Sequence, residues 1–299
     1  MATGRYAPSP TGPLHLGNLR TAMLAWLFAR AEGSRFLLRV EDLDLVASSP
    51  EHERQQLADL RALGLDWDGP VVRQSERRAA HEAALDDLTL RGLTYPCFCS
   101  RREVREASAA PHVLPGTYPG TCRDLTPDEV EARRADGRPA ALRLRASVGA
   151  VTIVDRLAGP ITRPADDIVL RRNDGVPAYH VAVVVDDDDQ GVEEVVRGDD
   201  LLPATPSQAH LLELLGRPLP VWAHVPLVLG PDGKRLAKRH GAVTLADRAA
   251  AGETAEEVRS RLAASLGLAR PTEPVTMGQL VDRFDPSAMP ADPWTLQDL

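Results

Sequence analysis

A histidine near the amino terminus stands in a loop rich in proline and glycine. His15 lies in RYAPSPTGPLHLGNLRTA, where a strand predicted over residues 4–7 gives way to a helix that begins near Asn18. The free N–H groups and the dipole of a helix amino terminus attract anions, above all phosphate. Prolines restrict such a loop before a ligand binds, and glycines let its backbone approach the ligand closely. The segment therefore predicts a phosphate site with a histidine at its edge.

The two lysines of the chain lie four residues apart, at Lys234 and Lys238, in the segment GPDGKRLAKRHGA. Arginine supplies all the others of the 35 Lys and Arg residues, so these two ammonium groups stand out. A lysine ammonium acts as a mobile point charge on phosphate, whereas the arginine fork is planar. The pattern indicates a second phosphate contact on this loop.

Three cysteines lie close together in the sequence, at Cys97, Cys99 and Cys122. Their odd number and their clustering suit a metal site better than a disulfide framework. Zinc binds four ligands in a tetrahedron, commonly three thiolates and one further group. Tyr118 and the more conventional ligand His112 are the candidates for the fourth position. Three structural cysteines without a metal are the alternative.

The elements that must position these groups alternate between strand and helix over the first 95 residues. The patterns predict a helix over residues 17–32, a buried strand over residues 36–40, and two further helices opened by Ser49 and by Ser75. Such an alternation predicts an α/β fold with a parallel, doubly wound sheet.

The chain then changes character. Residues 95–168 are polar and rich in turns, with capping boxes that begin at Ser100 and Thr126, and we interpret them as an inserted module. In the segment that follows, residues 173–175 predict a hairpin turn, and the acidic run at residues 186–189 is interpreted as a solvated cap on a strand end. These changes predict four units: residues 1–94 and 169–245 as the two halves of a catalytic domain, residues 95–168 as the insertion, and residues 246–299 as a helical carboxy-terminal extension.

Composition narrows the classes of function. A hydrophobic content of 43% and a charged content of 26% are ordinary for a globular protein, and no apolar run approaches the length of a membrane span. The net charge of −8 argues against general coating of nucleic acid but permits a localised basic face for RNA. With no signal-peptide pattern at its start, the chain is expected to act in the cytoplasm. It is also expected to be a monomer without a membrane partner.

Taken in their order along the chain, these motifs resemble those of class I aminoacyl-tRNA synthetases, and more narrowly those of the glutamyl branch. PSPTGPLHLGN is similar to the HIGH signature of that family, and RLAKR, at residues 235–239, is similar to its KMSKS loop. The resemblance implies a Rossmann-type sheet split by a zinc-binding insertion. It also implies His15 and Lys238 as catalytic groups and an ATP site formed by His15, Gly17, Asn18, Leu236 and Lys238. Arg235 and Ala237 replace the first lysine and the serine of the signature, and Lys234 lies just outside it.

The same resemblance implies a binding site for glutamate, in which Glu41 meets the α-ammonium group. An arginine at the carboxyl edge of a sheet is well placed to face a ligand, which makes Arg5 the candidate for recognition of an acidic side chain. The residues implied are Arg5, Tyr6, Ala7, Pro8, Ser9, Glu41, Tyr179 and Arg197. For Arg197 the alternative is an ordinary ion pair with Asp199 or Asp200.

The spacing CxC…YxxxC resembles the zinc site of glutamyl-queuosine tRNA(Asp) synthetases, which implies one structural zinc ion held by Cys97, Cys99, Tyr118 and Cys122. The sequence ends about 60 residues after RLAKR, where glutamyl-tRNA synthetases continue into an anticodon-binding region, and this favours the queuosine branch. The implied activity is ATP- and Mg²⁺-dependent activation of L-glutamate without tRNA, followed by transfer to the cyclopentenediol of queuosine at the wobble position of tRNA(Asp). A truncated glutamyl-tRNA synthetase that charges tRNA(Glu), and a non-catalytic paralogue that binds tRNA or glutamyl-adenylate, are the alternatives.

Overall fold

The computed structural model describes residues 2–108, 117–237, 240–241 and 243–296. Its strands within these residues are β1 (Gly4–Tyr6), β2 (Phe36–Val40), β3 (Val72–Arg73), β4 (Thr94–Cys97), β5 (Ala141–Leu144), β6 (Ala150–Asp155), β7 (Gly159–Pro164), β8 (Val169–Arg171), β9 (Glu194–Gly198), β10 (Val221–Val225), β11 (Val228–Leu229) and β12 (Trp294–Thr295).

The α-helices of the same residues are α1 (Leu16–Ala31), α2 (Pro50–Ala62), α3 (Arg78–Leu90), α4 (Arg101–Ser108), α5 (Pro127–Ala135), α6 (Tyr179–Asp189), α7 (Thr205–Leu214), α8 (Leu245–Ala250), α9 (Ala255–Ala264) and α10 (Met277–Arg283). Short 3₁₀ turns lie at Gln74–Arg77, Asp199–Ala204 and Pro286–Ala288. Within the described chain, no helix is long and apolar enough to cross a membrane.

The main sheet has seven strands in the order β3-β2-β1-β9-β10-β6-β7. All neighbouring strands run parallel except the edge pair β6 and β7, which is antiparallel. The predicted parallel α/β sheet is therefore confirmed. β1 lies between β2 and β9, and the strand order reverses there, which in open parallel sheets opens a crevice at the carboxyl ends of the strands.

The segment predicted as an insertion divides between two sheets. β4 and β5 form a separate antiparallel sheet with β8, whereas the hairpin of β6 and β7 extends the main sheet at its edge. The capping boxes predicted at Ser100 and Thr126 are present at the starts of α4 and α5. The division of the chain into four units stays a prediction.

Helices cover both faces of the main sheet. On one face α1 packs with α9 and α10 in a single apolar cluster, and on the other α3, α6 and α7 form a second cluster. Strand β2 serves both clusters, because Leu38 belongs to the first and its neighbour Leu37 to the second, as the two-residue period of a strand requires. Residues 245–296 thus contribute α9 and α10 to the same core as α1, β1 and β2.

Two predicted helix starts have different outcomes. Ser49 caps α2 as expected, since its side chain accepts the N–H of Glu51. The prediction that Ser75 opens a helix is wrong. Ser75 lies within a 3₁₀ turn, where the carboxylate of Asp42 accepts both its N–H at 2.8 Å and its hydroxyl at 2.6 Å, so α3 begins only at Arg78.

The interpretation of the acidic run as a solvated strand cap is also wrong. The tight turn before it forms, with Gly175 at a φ of 82°, but the chain then enters α6, and the four aspartates are its last turn. Successive helical residues point about 100° apart, so the four aspartates face different directions and meet partners from several elements. Asp186 accepts hydrogen bonds from Gln74 and Arg77 and lies 2.9 Å from Nε2 of His81, Asp187 meets two arginines, and Asp188 and Asp189 meet Arg217.

Candidate active site

A cleft of about 570 Å³ lies at the carboxyl ends of β1, β2 and β9, where the strand order reverses. The structure brings together there all eight residues predicted for glutamate and three of those predicted for ATP. They are Arg5, Tyr6, Ala7, Pro8, Ser9, Glu41, Tyr179 and Arg197, with His15, Gly17 and Asn18. Lys238, the predicted catalytic lysine, and His112 lie outside the described residues.

His15 is the N-cap of α1 and is held by a reciprocal pair of bonds with Asn18. Its Nδ1 accepts the N–H of Asn18 at 3.1 Å, and the side-chain oxygen of Asn18 accepts the N–H of His15 at 3.2 Å. Since Nδ1 is an acceptor, the ring proton is on Nε2. Burial lowers the pKa of His15 to about 4, and the charge of Arg235 acts in the same direction. At neutral pH the ring is therefore an uncharged hydrogen-bond donor at the amino terminus of a helix.

The loop before His15 is clamped by a residue that the sequence motifs did not identify. Gln56, on α2, is almost completely buried, and its amide donates to the carbonyl oxygens of Ser9 at 3.0 Å and of Gly12 at 2.7 Å. The N–H of Glu41 also donates to the carbonyl of Pro8 at 2.9 Å. Proline stiffness and these bonds hold the loop over the cleft. No pattern in the sequence pointed to Gln56, because its role depends on a loop more than 40 residues away.

Arg5 is part of a buried network of charges. It donates to both carboxylate oxygens of Asp187, at 3.0 and 3.3 Å, and Asp187 also accepts a bond from Arg39 at 2.7 Å. Arg39, which sequence reasoning missed, is fully buried and donates to Glu41 at 3.2 Å. Burial alone would raise the pKa of Asp187, but Arg39 and Arg5 outweigh it and hold the pKa below its usual range. Glu41 lines the cleft, and burial raises its pKa.

Arg197 is a buried guanidinium surrounded by neutral groups. Its four contacts are His224 at 3.1 Å, the Tyr179 hydroxyl at 3.2 Å, Thr205 at 2.8 Å and Gln208 at 2.7 Å. Throughout the described part of the chain, no carboxylate lies within ion-pair distance of it, so the alternative of an ordinary ion pair with Asp199 or Asp200 does not hold. Burial lowers the pKa of Arg197. A desolvated cation with open access to a cleft is a site for an anion.

The loop that resembles the KMSKS signature is anchored at the cleft wall. Arg235 pairs with the carboxylate of Asp200, and both residues line the cleft. The side chain of Leu236 packs in the core, and its N–H donates to the carbonyl of Val228 at 2.9 Å, while its place in the ATP site stays a prediction. Leu236 thus fixes the loop to β11.

The three cysteines are unpaired thiols that meet at one point, as the sequence predicted. The Sγ atoms of Cys97, Cys99 and Cys122 all lie within 4.8 Å of one another, and those of Cys99 and Cys122 are 3.6 Å apart. Zinc–sulfur bonds of about 2.3 Å at tetrahedral angles place two sulfurs about 3.8 Å apart, so the cluster has the dimensions of a metal site. The Tyr118 hydroxyl lies 3.3 Å from Sγ of Cys97 and 3.6 Å from Sγ of Cys99.

The surroundings of the cluster favour a thiolate at Cys97. Burial would raise its pKa, but hydrogen bonds with Tyr118 and Arg143 outweigh burial and the pKa is lowered. Burial raises the pKa of Cys99 to about 11. The guanidinium carbon of Arg143 lies 3.6 Å from the centre of the Tyr118 ring and adds a positive charge beside the sulfurs. These residues are chemically suited to bind a metal such as zinc.

Known proteins match this chain in sequence and in structure. A family model described as the catalytic domain of class I tRNA synthetases (E and Q) matches residues 1–271. The chain is 62% identical to the glutamyl-Q tRNA(Asp) synthetase of Nocardia farcinica, over 99% of this chain and 93% of that relative. It is 50% identical to the protein of the same name from Symbiobacterium thermophilum, over 98% and 95%. A solved glutamate tRNA ligase of Elizabethkingia meningosepticum, in complex with its amino acid, matches with a TM-score of 0.83 at 29% identity; the match covers 98% of this chain but 66% of that one.

Proposed function

The chain belongs to the glutamyl and glutaminyl class I tRNA synthetases, and from this premise we propose that it activates L-glutamate with ATP and transfers it to queuosine in tRNA(Asp). The observation that carries the choice of amino acid is the buried guanidinium of Arg197, which lines the cleft without a carboxylate partner in the described chain. The names of the relatives that match at 62% and 50% identity support the acceptor.

Charge complementarity supports glutamate. Arg5, Glu41 and Arg197 line the cleft, and the ion pairs of Arg5 with Asp187 and of Glu41 with Arg39 lie behind this lining, so that three guanidinium groups accompany two carboxylates. The site therefore has one positive charge in excess. Glutamate carries one ammonium group and two carboxylates at neutral pH, and thus one negative charge in excess. Glutamine lacks that charge and would leave the buried cation uncompensated, which disfavours its binding.

In the first step a carboxylate oxygen of glutamate attacks the α-phosphorus of ATP, and the bond to pyrophosphate breaks. The protein forms no covalent bond, so positioning and stabilisation of charge account for catalysis. His15 donates its Nε2 proton in a hydrogen bond to the phosphates without bringing a charge, while Lys238 brings an ammonium charge from the loop, and Mg²⁺ accompanies ATP. Gly17 and Asn18 place the amino terminus of α1 against the same phosphates.

In the second step a hydroxyl of the queuosine cyclopentenediol attacks the glutamyl carbonyl, the bond from that carbonyl to the phosphate oxygen breaks, and AMP leaves with its electron pair and takes up the hydroxyl proton. This acceptor distinguishes the proposal from a synthetase that charges tRNA(Glu), which shares the first step. The retained cleft, with Glu41, Tyr179 and Arg197 all facing it, supports an active enzyme over a paralogue that only binds.

We further propose one structural zinc ion per chain, held by Cys97, Cys99, Cys122 and Tyr118. The position of the Tyr118 hydroxyl beside two of the sulfurs supports it as the fourth ligand. A bound zinc ion would cross-link β4 to the segment 118–122.

The test is ATP–pyrophosphate exchange without tRNA, followed by transfer of labelled glutamate to tRNA(Asp) with and without queuosine and to tRNA(Glu). We expect exchange that depends on glutamate, and label only on queuosine-containing tRNA(Asp). Lys238→Ala should abolish exchange while glutamate still binds. Label only on tRNA(Glu) would identify a glutamyl-tRNA synthetase. Absence of exchange would identify a non-catalytic paralogue that only binds its ligands.

A further inference from the structure

Arg197 is held by a chain of buried polar groups that crosses three neighbouring strands. Its Nε donates to Nε2 of His224 at 3.1 Å, and Nδ1 of His224 lies 2.6 Å from Oδ2 of Asp155. Arg197 and His224 are register partners in β9 and β10, and Asp155 ends β6, the next strand of the sheet. All three side chains are more than nine-tenths buried. His224 and Asp155 belong to neither signature motif.

Asp155 determines which nitrogen of His224 carries the proton. Its Oδ1 accepts the N–H groups of Leu157 at 3.0 Å and Ala158 at 2.9 Å, and its Oδ2 accepts the N–H of His224 at 3.1 Å. Burial would raise the pKa of Asp155, but these bonds and the His224 ring outweigh it, so the carboxylate stays ionised. A carboxylate only accepts hydrogen bonds. His224 therefore has its proton on Nδ1 and presents the lone pair of Nε2 to Arg197.

This lone pair fixes the plane of the Arg197 guanidinium. With Nε bound to His224, and NH2 bound to Thr205 and Gln208, one edge of the fork is committed to the protein. The remaining nitrogen, NH1, donates to the hydroxyl of Tyr179, which lines the cleft. NH1 is therefore the part of the guanidinium nearest to the cleft. A ring with its proton on Nε2 would set one N–H against another, and the guanidinium would have to turn.

We propose that His224 is a positioning residue for amino-acid specificity, which holds Arg197 in the orientation that meets the side-chain carboxylate of glutamate, and that Asp155 sets the tautomer on which this depends. The inference rests on the proposed function. It extends the amino-acid site to two residues behind the cleft, on strands β10 and β6, that do not touch the substrate.

The test compares two substitutions at one position. His224→Leu removes the acceptor for Nε of Arg197, whereas the side-chain oxygen of His224→Gln takes the place of Nε2. We expect His224→Leu to raise the KM for glutamate about tenfold or more while the KM for ATP in the same exchange assay changes less than about twofold. His224→Gln should restore the KM for glutamate to within about threefold of the wild-type value. Calorimetric titration with glutamate should give the same order.

His210→Leu is the matched control, because His210 is an equally buried histidine, on α7, whose ring lies against Ser147. It should leave the ratio of the two KM values unchanged.

Should His224→Leu not fold, Asp155→Asn tests the same point, since an amide no longer forces the proton onto Nδ1, and it should raise the KM for glutamate selectively. Equal effects of Leu and Gln at position 224, or equal changes in both KM values, would overturn the inference. Absence of glutamate binding by the wild-type protein would instead refute the proposed function.

Discussion

The ring of His15 lies 3.0 Å from the position that a Cβ atom on Gly17 would occupy. A contact this short is tighter than most real Cβ contacts, so the ring would have to shift by a few tenths of an ångström, and Val228 closes the same space from another side at 3.3 Å. Glycine at position 17 therefore lets the histidine fold back over the first turn of α1 without displacement. The glycine and the histidine of this motif form one packing unit.

Gly17→Ala should displace the His15 ring and weaken the handling of ATP. We expect kcat/KM for ATP in pyrophosphate exchange to fall on the order of tenfold to a hundredfold, because small displacements of a catalytic group have effects of this size. Alanine favours a helix over glycine by about 1 kcal/mol, so unfolding should show little loss of stability. Gly278→Ala is the matched control. Gly278 is also the second residue of a helix, but the nearest atom to its Cβ position is 4.0 Å away, so the exchange rate should not change. Equal effects of the two substitutions would contradict the packing argument.

Arg39 is expected to be essential for stability because two buried carboxylates depend on it. Arg39→Leu would leave Glu41 without its ion-pair partner and Asp187 with Arg5 alone. Removing one partner of a buried pair costs about 3 kcal/mol or more, and denaturant unfolding should show a loss of that size. Arg102→Leu replaces an arginine whose side chain is 78% exposed, and it should change the free energy of unfolding by less than about 0.5 kcal/mol. A loss at Arg39 no larger than at Arg102 would show that the network does not stabilise the fold.

The sequence predicted those parts of the fold that short-range patterns encode. Strand β2 at Phe36–Val40 and the start of α2 after Ser49 follow from apolar runs, a capping serine and a proline. The acidic end of α6 did not follow, because valine-rich segments suit a strand as well as a buried helix. The helix end is stable because groups distant in the sequence, among them Arg5 and Arg39, surround its aspartates in space.

The residues of the candidate site also fall into two groups, those that the sequence motifs identified and those that they missed. His15, Glu41 and Arg197 lie in segments that resemble a known family, and all three line the cleft. Arg39 and Gln56 were missed because their roles are defined by distant partners: Arg39 and Asp187 are 148 residues apart. Hydrophobic periodicity carries no information about which buried polar groups will be in contact. Such residues can therefore be identified only from the three-dimensional structure.

Tyr118 is expected to be the fourth ligand of the zinc ion that we propose for the cysteine cluster. Wild-type protein should contain about one zinc per chain, and Cys97→Ser should lose it. Tyr118→Phe removes only the hydroxyl that lies beside the sulfurs, and it should speed the loss of zinc to a chelator at least about tenfold. Tyr95→Phe is the control, since the Tyr95 hydroxyl donates to Asp167 at 2.6 Å and takes no part in the cluster, so its zinc should be lost at the wild-type rate. If Tyr118→Phe retains zinc like the wild type, the fourth ligand is another group.

The low pKa of His15 makes stability depend on pH in a defined window. Burial and the charge of Arg235 lower this pKa from 6.5 to about 4, and burial lowers that of His180 to about 4 as well. In the unfolded chain these rings take up protons as the pH falls through 6.5, whereas in the folded protein they do so only near 4. The unfolded state therefore binds more protons between these values, and the free energy of unfolding should decrease as the pH falls from about 6.5 to 4 and stay level with respect to these groups above 6.5. His15→Gln removes the contribution of His15, so thermal unfolding of this variant should depend less steeply on pH in that window. His52→Gln, on α2, controls for the loss of a histidine as such. A slope for His15→Gln equal to that of the wild type would mean that the ring is protonated as easily in the folded protein as in the unfolded chain.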